Sequence, residues 1–429
     1  MSITSKLFAE SLLPRRPSSS SSCKCAVLIG IIFITVLLLM PAPAQAQRRR
    51  FLMRQREKQI LDIVLSNTTY DNRIRPSPLL NSTTGETQVY VNLLIRSVSK
   101  IDDFAMEYSV QLLLREEWYD DRLKFESFRS SQASTSDFPP YLTIVDTKRV
   151  WMPDIFFINE KEGRLHGIIK PNEYVRIYPD GNVLFSVRIS LVLACPMDLQ
   201  FFPMDEQTCR IAMASYGLTT EDIVFHWKVE EPVQVPNLTL PRFNLQAVKT
   251  YKDDRTTNTG TYSTLKADFV LRRNFSYYMT QLYIPCIMLV IVSQVSFYID
   301  ENAVPARTAL GITTLLTMAT QSASINRSLP PVSYTKSVDV WSGVCLIFVF
   351  AALIEFAFVN YYNRFDKRTK KLWIEEHGHE PPPPEGCGWL SRRYPSKSKR
   401  IDVCSRVIFP ILFIIFNICY WSVCLTAKF

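Results

Sequence analysis

VPARTALGITTLLTMATQSASINR, residues 304–327, is long enough to cross a hydrocarbon core of about 30 Å as a helix. Its composition does not suit lipid contact on every side: Thr and Ser recur throughout and Arg307 stands near the start. Steps of three or four from Pro305 reach Ala309, Thr313, Leu316, Thr320, Ser324 and Arg327, which share one side of a helix,. The stripe is small or hydroxyl-bearing up to Ser324 except for Leu316, while Leu310, Ile312, Leu315 and Met318 lie on other faces and can pack against neighbouring helices. Two readings fit. The stripe is the wall of a water-filled pore shared by several copies, since one helix cannot enclose water, or it is a helix-packing face with hydroxyl bonds between helices. Arg307 is equally open, as an anchor snorkelling at the membrane boundary or as one member of a positive ring at the inner mouth, which would favour anions. In the pore reading Leu316 is an apolar constriction that closes by dewetting.

Three further apolar segments, residues 276–299, 337–359 and 407–425, bring the expected spans to four,. Pro285 in the first of them is tolerable where neighbouring helices satisfy the freed carbonyl. Residues 360–406 hold a PPPP run and a basic stretch between 364 and 400, and read as a short cytoplasmic loop,. An even number of spans returns the C-terminus to the outer side. The 47% hydrophobic content and net charge of +9 of the 429-residue chain therefore average two environments, and the charge is no signal for nucleic acid. At the other end, Lys6, Arg15, Arg16 and Lys24 precede CAVLIGIIFITVLLLM and PAPAQAQ, a secretory signal with cleavage expected after Ala46,. The organisation expected is a signal peptide at 1–46, an extracellular domain at 47–274 and a membrane domain at 275–427.

An extracellular location agrees with glycosylation sequons at Asn67, Asn81 and Asn237,; a fourth, Asn274, lies close to the first span. Of ten cysteines, Cys195 and Cys209 alone fall in the extracellular part. In an oxidising compartment two lone cysteines pair, stabilising by roughly 3 kcal/mol in the chain-entropy account. QREKQILDIVLSN places Ile60, Leu61, Ile63 and Val64 on one side of a short helix,. The period then drops to two, with Met106, Tyr108, Val110, Leu112 and Leu114 alternating with Glu107, Ser109, Gln111, Leu113 and Arg115,. Similar runs, punctuated by turns such as Pro179-Asp180-Gly181, imply a β-sandwich of about 200 residues. His166 and His226 are too few for a zinc set and could titrate near neutrality. No nucleophile–base constellation or metal box is present, so an enzyme is not expected, nor a cofactor.

CPMDLQFFPMDEQTC (195–209), WMPDIFF (151–157), PAR with LGITTLLTM (305–318), LPPVSY and DVW together resemble the pentameric Cys-loop ligand-gated channels, and within them the anion-selective branch of invertebrate glutamate-gated chloride channels and glycine receptors. The resemblance covers roughly residues 55–427. It implies an extracellular β-sandwich plus a four-helix transmembrane bundle in the plasma membrane, a homo- or hetero-pentamer with its N-terminus outside, a small-molecule agonist bound between subunits, and chloride preference accompanying Pro305, Ala306 and Arg307. Carried over by motif, Arg96 and Arg115 match arginines that hold the agonist carboxylate, through the planar guanidinium fork, and Ser186 matches a hydroxyl beside them. Tyr216, Thr259 and Tyr262 match positions around its amine, where aromatic faces attract an ammonium. The chain departs from the pattern at Asp253 and Thr264, where relatives usually carry a second disulfide, and at Gln294 and Tyr298, where tryptophans are common. These departures bear on the agonist: a glutamate- or glycine-like amino acid is expected, with extracellular pH, histamine, GABA or zinc as alternatives. A subunit that conducts only in heteromers is a further alternative.

Overall fold

The structure, a computed structural model, describes residues 43–66, 68, 70–77, 85–129, 138–236, 238–379 and 397–426. The sequons at Asn67, Asn81 and Asn237 and most of the expected signal segment lie outside them. In chain order the elements are α1 (Pro43–Val64), β1 (Thr87–Asp102), β2 (Glu107–Tyr119), β3 (Leu142–Ile144), β4 (Ile155–Phe157), β5 (Glu160–Leu165), β6 (Glu173–Ile177), β7 (Asn182–Ala194), β8 (Glu206–Ser215), β9 (Ile223–Trp227), β10 (Val233–Gln234), β11 (Phe243–Lys252), β12 (Arg255–Thr257), β13 (Gly260–Tyr262) and β14 (Thr264–Arg273). The helices α2 (Phe275–Tyr298), α3 (Val304–Arg327), α4 (Ser337–His377) and α5 (Lys397–Thr426) follow.

The chain separates into two compact units. The smaller takes in α1, residues 122–129 and 138–142, and the turn at 177–181. Within it α1 begins at Pro43, so the expected cleavage point at Ala46 falls inside a helix, and it buries Ile60 and Val64 while leaving Ile63 exposed. Phe125 packs on Phe138, with ring centroids 5.7 Å apart. The Pro179 carbonyl accepts from the Phe125 and Glu126 amides at 3.1 and 3.0 Å. Gly181 closes the Pro179-Asp180-Gly181 turn at φ +94°, a left-handed conformation that glycine adopts without a Cβ clash,.

The larger unit holds the sheets and the membrane helices. One sheet runs β10-β1-β2-β7-β6-β3, with β9 added to β1 and β5 to β7; a second runs β11-β14-β8-β4, and β12 and β13 pair by themselves. The period of two does what it should: Tyr108, Val110, Leu112 and Leu114 of β2 are buried while their neighbours are part-exposed. Burying each such side chain contributes about 1.5–3 kcal/mol. Both the hydroxyl of Tyr108, donating to the Arg210 carbonyl at 2.9 Å, and the Cys195–Cys209 disulfide link one sheet to the other.

Where β14 runs into α2, Arg273 is enclosed. Its guanidinium forks onto Asp205, with Nε–Oδ1 2.7 Å and Nη2–Oδ2 3.0 Å, and onto Asp103, with both bonds 2.9 Å. It lies over the rings of Phe202 and Phe243 at 4.7 and 4.5 Å. Burial opposes its charge, but Asp205 and Asp103 outweigh that and hold it protonated well above the ordinary range,. The disulfide loop also touches the α3–α4 connection: the Leu199 amide donates to the Tyr334 hydroxyl at 2.9 Å, and the Ser337 amide to the Gln200 carbonyl at 2.9 Å.

α2, α4 and α5 are long and apolar enough to span a membrane; α3 is long enough but too polar to count with them. One expectation needs correcting. Residues 360–406 are not simply a loop: α4 continues to His377 and α5 begins at Lys397. The apolar run stops at Val359, while NYYNRFDKRTKKLWIEEH keeps good helix formers, so the helix outlasts it,. The Asp366 carboxylate accepts from the Lys397 amide at 3.1 Å, fixing the two helices at this level.

Arg273→Ala leaves Asp103 and Asp205 buried without their shared cation, and is expected to destabilise by about 3–5 kcal/mol. Thermal unfolding of the detergent-solubilised chain should show a large drop in Tm, partly restored when Asp103→Asn is added.

Candidate functional site

Two sets of expected ligand residues lie on different sheets. On the first sheet, Arg115 of β2 is the direct cross-strand partner of Asn92 in β1 and of Ser186 in β7. Its Nη1 donates to Asn92 Oδ1 at 3.2 Å and Gln234 Oε1 at 3.4 Å, and Asn92 is held in turn by the Glu231 carbonyl at 2.7 Å. Both bonds use one nitrogen, so among the described residues Nη2 and Nε of Arg115 have no hydrogen-bond partner and half of the fork remains for a ligand. Glu117, two residues further along β2, is taken by Lys228 at 2.6 Å. These residues line a cleft of about 720 Å³ together with Tyr174 and Arg176. Ser186 is buried beside it.

Arg96 does not join them. It is the extra residue of a bulge in β1 between Ile95 and Ser97,, four residues past Asn92 and so roughly 13 Å along the strand. Its electrostatic neighbour is instead His166, which bonds Gln111 at 3.2 Å and Ser190 at 2.7 Å. Burial, then Arg188, Arg164 and Arg96, push His166 below the ordinary histidine range. Burial and then Lys252 do the same to His226. Neither is held charged at neutral pH, and no group of three metal-ligating side chains occurs among the described residues.

The second set gathers beyond the other sheet. Tyr216 follows β8, is 78% exposed, and meets Phe156 edge-on at 5.5 Å. Thr259 and Tyr262 sit on the β12–β13 hairpin with their hydroxyls 2.8 Å apart. The hairpin reaches the Tyr216 loop, since the Thr220 amide donates to the Thr261 carbonyl at 2.9 Å. At Gly260, with φ +141°, a Cβ would come within 2.9 Å of Thr219 Cγ2, so the approach requires glycine,. Where relatives carry the second disulfide, the Asp253 amide donates to the Thr264 carbonyl at 3.0 Å, Asp254 Oδ1 accepts from the Thr264 amide at 3.2 Å, and Asp253 pairs with Lys266.

The sequence reading missed what holds the Tyr216 loop. Asp154, the last polar residue of the WMPD run, accepts from Ser215 Oγ at 2.8 Å and from the amides of Gly217 and Leu218 at 2.7 and 3.3 Å. Its neighbour Trp151 packs edge-on against Trp118 of β2.

α3 shows two faces. Arg307, Thr314 and Met318 are buried against the bundle, and Gly311 lies so close to α4 that a Cβ would meet Leu353 Cδ1 at 2.6 Å. Pro305, Ala306, Ala309, Thr313, Leu316 and Thr320 are exposed in the protomer, Leu316 to 64%; so is Ile312, which sequence placed among the packing residues. The Thr313 hydroxyl donates to the Ala309 carbonyl at 2.7 Å and that of Thr320 to the Thr317 carbonyl at 2.8 Å. These hydroxyls are thus satisfied within their own helix and tie it to no other helix of the protomer.

Arg307 is turned into the protomer rather than outward. It is 1% exposed, and it forks onto Asp402 of α5 with Nη1–Oδ1 2.9 Å and Nη2–Oδ2 2.8 Å, while Nε donates to the Ile299 carbonyl at 3.1 Å. It neither snorkels nor offers a free positive charge to the helix mouth. Asp402 lies 95 positions away, beyond any local pattern.

Residues 57–275 match the neurotransmitter-gated ion-channel ligand binding domain, and residues 282–380 match the transmembrane region of the same channels. The chain is 49% identical to a glutamate-gated chloride channel of Drosophila melanogaster, covering 86% of this chain and 91% of the relative. It is 42% identical to a glutamate-gated chloride channel subunit beta of Haemonchus contortus, covering 86% and 92%. With both regions matched and these identities sustained along the chain, the protein is a member of the neurotransmitter-gated ion-channel family, a family of channels and not of enzymes.

Proposed function

We propose that the chain is a subunit of a pentameric chloride channel of the plasma membrane, N-terminus outside, opened by a glutamate-like amino acid bound between adjacent subunits. The observation that carries this is the half-open Arg115 fork beside Ser186, in a chain 49% identical to a glutamate-gated chloride channel. Arg115 takes the agonist carboxylate through Nη2 and Nε. Tyr216, Thr259 and Tyr262 of the next subunit close over its amine. Because the two sets occupy different sheets of one protomer, a second copy completes the site. Arg96 acts at longer range, raising the positive potential near the cleft.

The conduction path follows Pro305, Ala309, Thr313, Leu316 and Thr320. Anion preference belongs to Pro305 and Ala306 at the start of α3, where helix dipoles converge with their positive ends toward the axis. Arg307, neutralised by Asp402, locks α3 to α5. Agonist opens the Leu316 constriction by binding the open state more tightly, with movement passing from the disulfide loop to the α3–α4 connection.

Arg115→Ala is expected to raise the half-activating concentration of L-glutamate at least about tenfold, equivalent to about 1.4 kcal/mol, measured by whole-cell recording from cells expressing this chain. An unchanged curve removes Arg115 from the site.

Ala306→Glu should move the reversal potential toward that of a cation channel. The double variant Arg307→Ala/Asp402→Ala should keep chloride reversal where it is. The opposite pattern returns selectivity to Arg307.

A further inference from the structure

β2 carries two adjacent glutamates, and the pleat sends them to opposite faces. Glu117 goes outward to Lys228. Glu116 shares the inner face with Leu112, Leu114 and Trp118 and is 1% exposed. Its Oε1 is buried with no hydrogen-bond partner. Its cross-strand neighbours, Val91 of β1 and Phe185 of β7, carry no charge. The charge that acts on it is that of Asp154, from the turn before β4. A carboxyl group is thus enclosed beside a like charge with no cation, which favours its neutral form. Burial first, and then Asp154, push Glu116 up to about 8. Asp154 is the clamp on residues 215–218 described above.

We propose that Glu116 is a proton-holding positioning residue for the agonist site: while neutral it lets Asp154 keep the Tyr216 loop in its binding geometry, and loss of its proton in alkaline solution loosens that loop. The proton passes to water and leaves a buried carboxylate beside the half-buried one of Asp154. Their repulsion is relieved by displacing Asp154 toward solvent, at the expense of its bonds to Ser215, Gly217 and Leu218. The proposal rests on the agonist role given to Tyr216 above. Mild alkalinity then lowers agonist affinity through a group that never touches the agonist.

Two readouts test it on the full-length channel. In wild type the half-activating concentration of L-glutamate should rise about threefold or more between about pH 7 and pH 9, and Glu116→Gln should lose most of that rise. A merely structural glutamate would shift the curve equally at every pH. The second readout needs no agonist. Because the folded state holds this proton more tightly than the unfolded chain, whose carboxyl titrates near 4.5, the stabilisation is fully present below that value and is lost as pH climbs through about 8,. The Tm of the unliganded protein should therefore fall across that window, and Glu116→Gln, or Glu116→Leu where Gln does not assemble, should flatten the fall. A wild-type response that does not change with pH, or a dependence that the variants keep in full, overturns the proposal. If L-glutamate opens nothing, the agonist assignment fails alone and the melting comparison still decides Glu116.

Discussion

One buried guanidinium ties the parts of this chain together. Arg273 ends the last strand, and the carboxylates it binds come from the β1–β2 turn and from the end of the disulfide loop. Two acids and one base cannot be left half-assembled in a space without water, because each unpaired member carries a desolvation penalty of several kcal/mol. The three segments must therefore arrive together. The same loop touches the α3–α4 connection at Leu199 and Gln200, so whatever shifts the Arg273 cluster bears on the helices below.

Charge buried in pairs recurs at the other end of the membrane region. Arg307 looks like an exposed cation in sequence, and in the fold it is a strut between α3 and α5. The distinction alters how the helix start is understood. A cation with a carboxylate 2.8 Å away projects little net field beyond the pair,.

Much of the architecture was legible because half-buried strands write their pleat into the sequence. Tyr108, Val110, Leu112 and Leu114 announce β2, and two cysteines alone in the expected extracellular part announce their bond. Arg115 and Ser186 were legible through motifs and proved to be register partners. The same period of two, extended past Leu114, already puts Glu116 on the inner face; that signal was available and unread, since consecutive glutamates look like a solvated run. Other features left no local trace. Asp402 reaches Arg307 only through tertiary packing, Arg96 was moved away from Arg115 by a bulge, and α4 outlasts its apolar stretch because helix propensity and hydropathy end at different places.

The base of the β12–β13 hairpin joins Asp253 to Lys266 through an ion pair. Lys266 holds the Asp253 carboxyl below its ordinary range through hydrogen bonding and attraction, yet the pair remains at the surface and within reach of dissolved ions. Part of what holds this hairpin base is therefore electrical, beside its backbone hydrogen bonds. Concentrated saline weakens the Asp253–Lys266 pair by screening, whereas a thiol reductant has no bond to cut at this pair, the disulfide among the described residues being Cys195–Cys209.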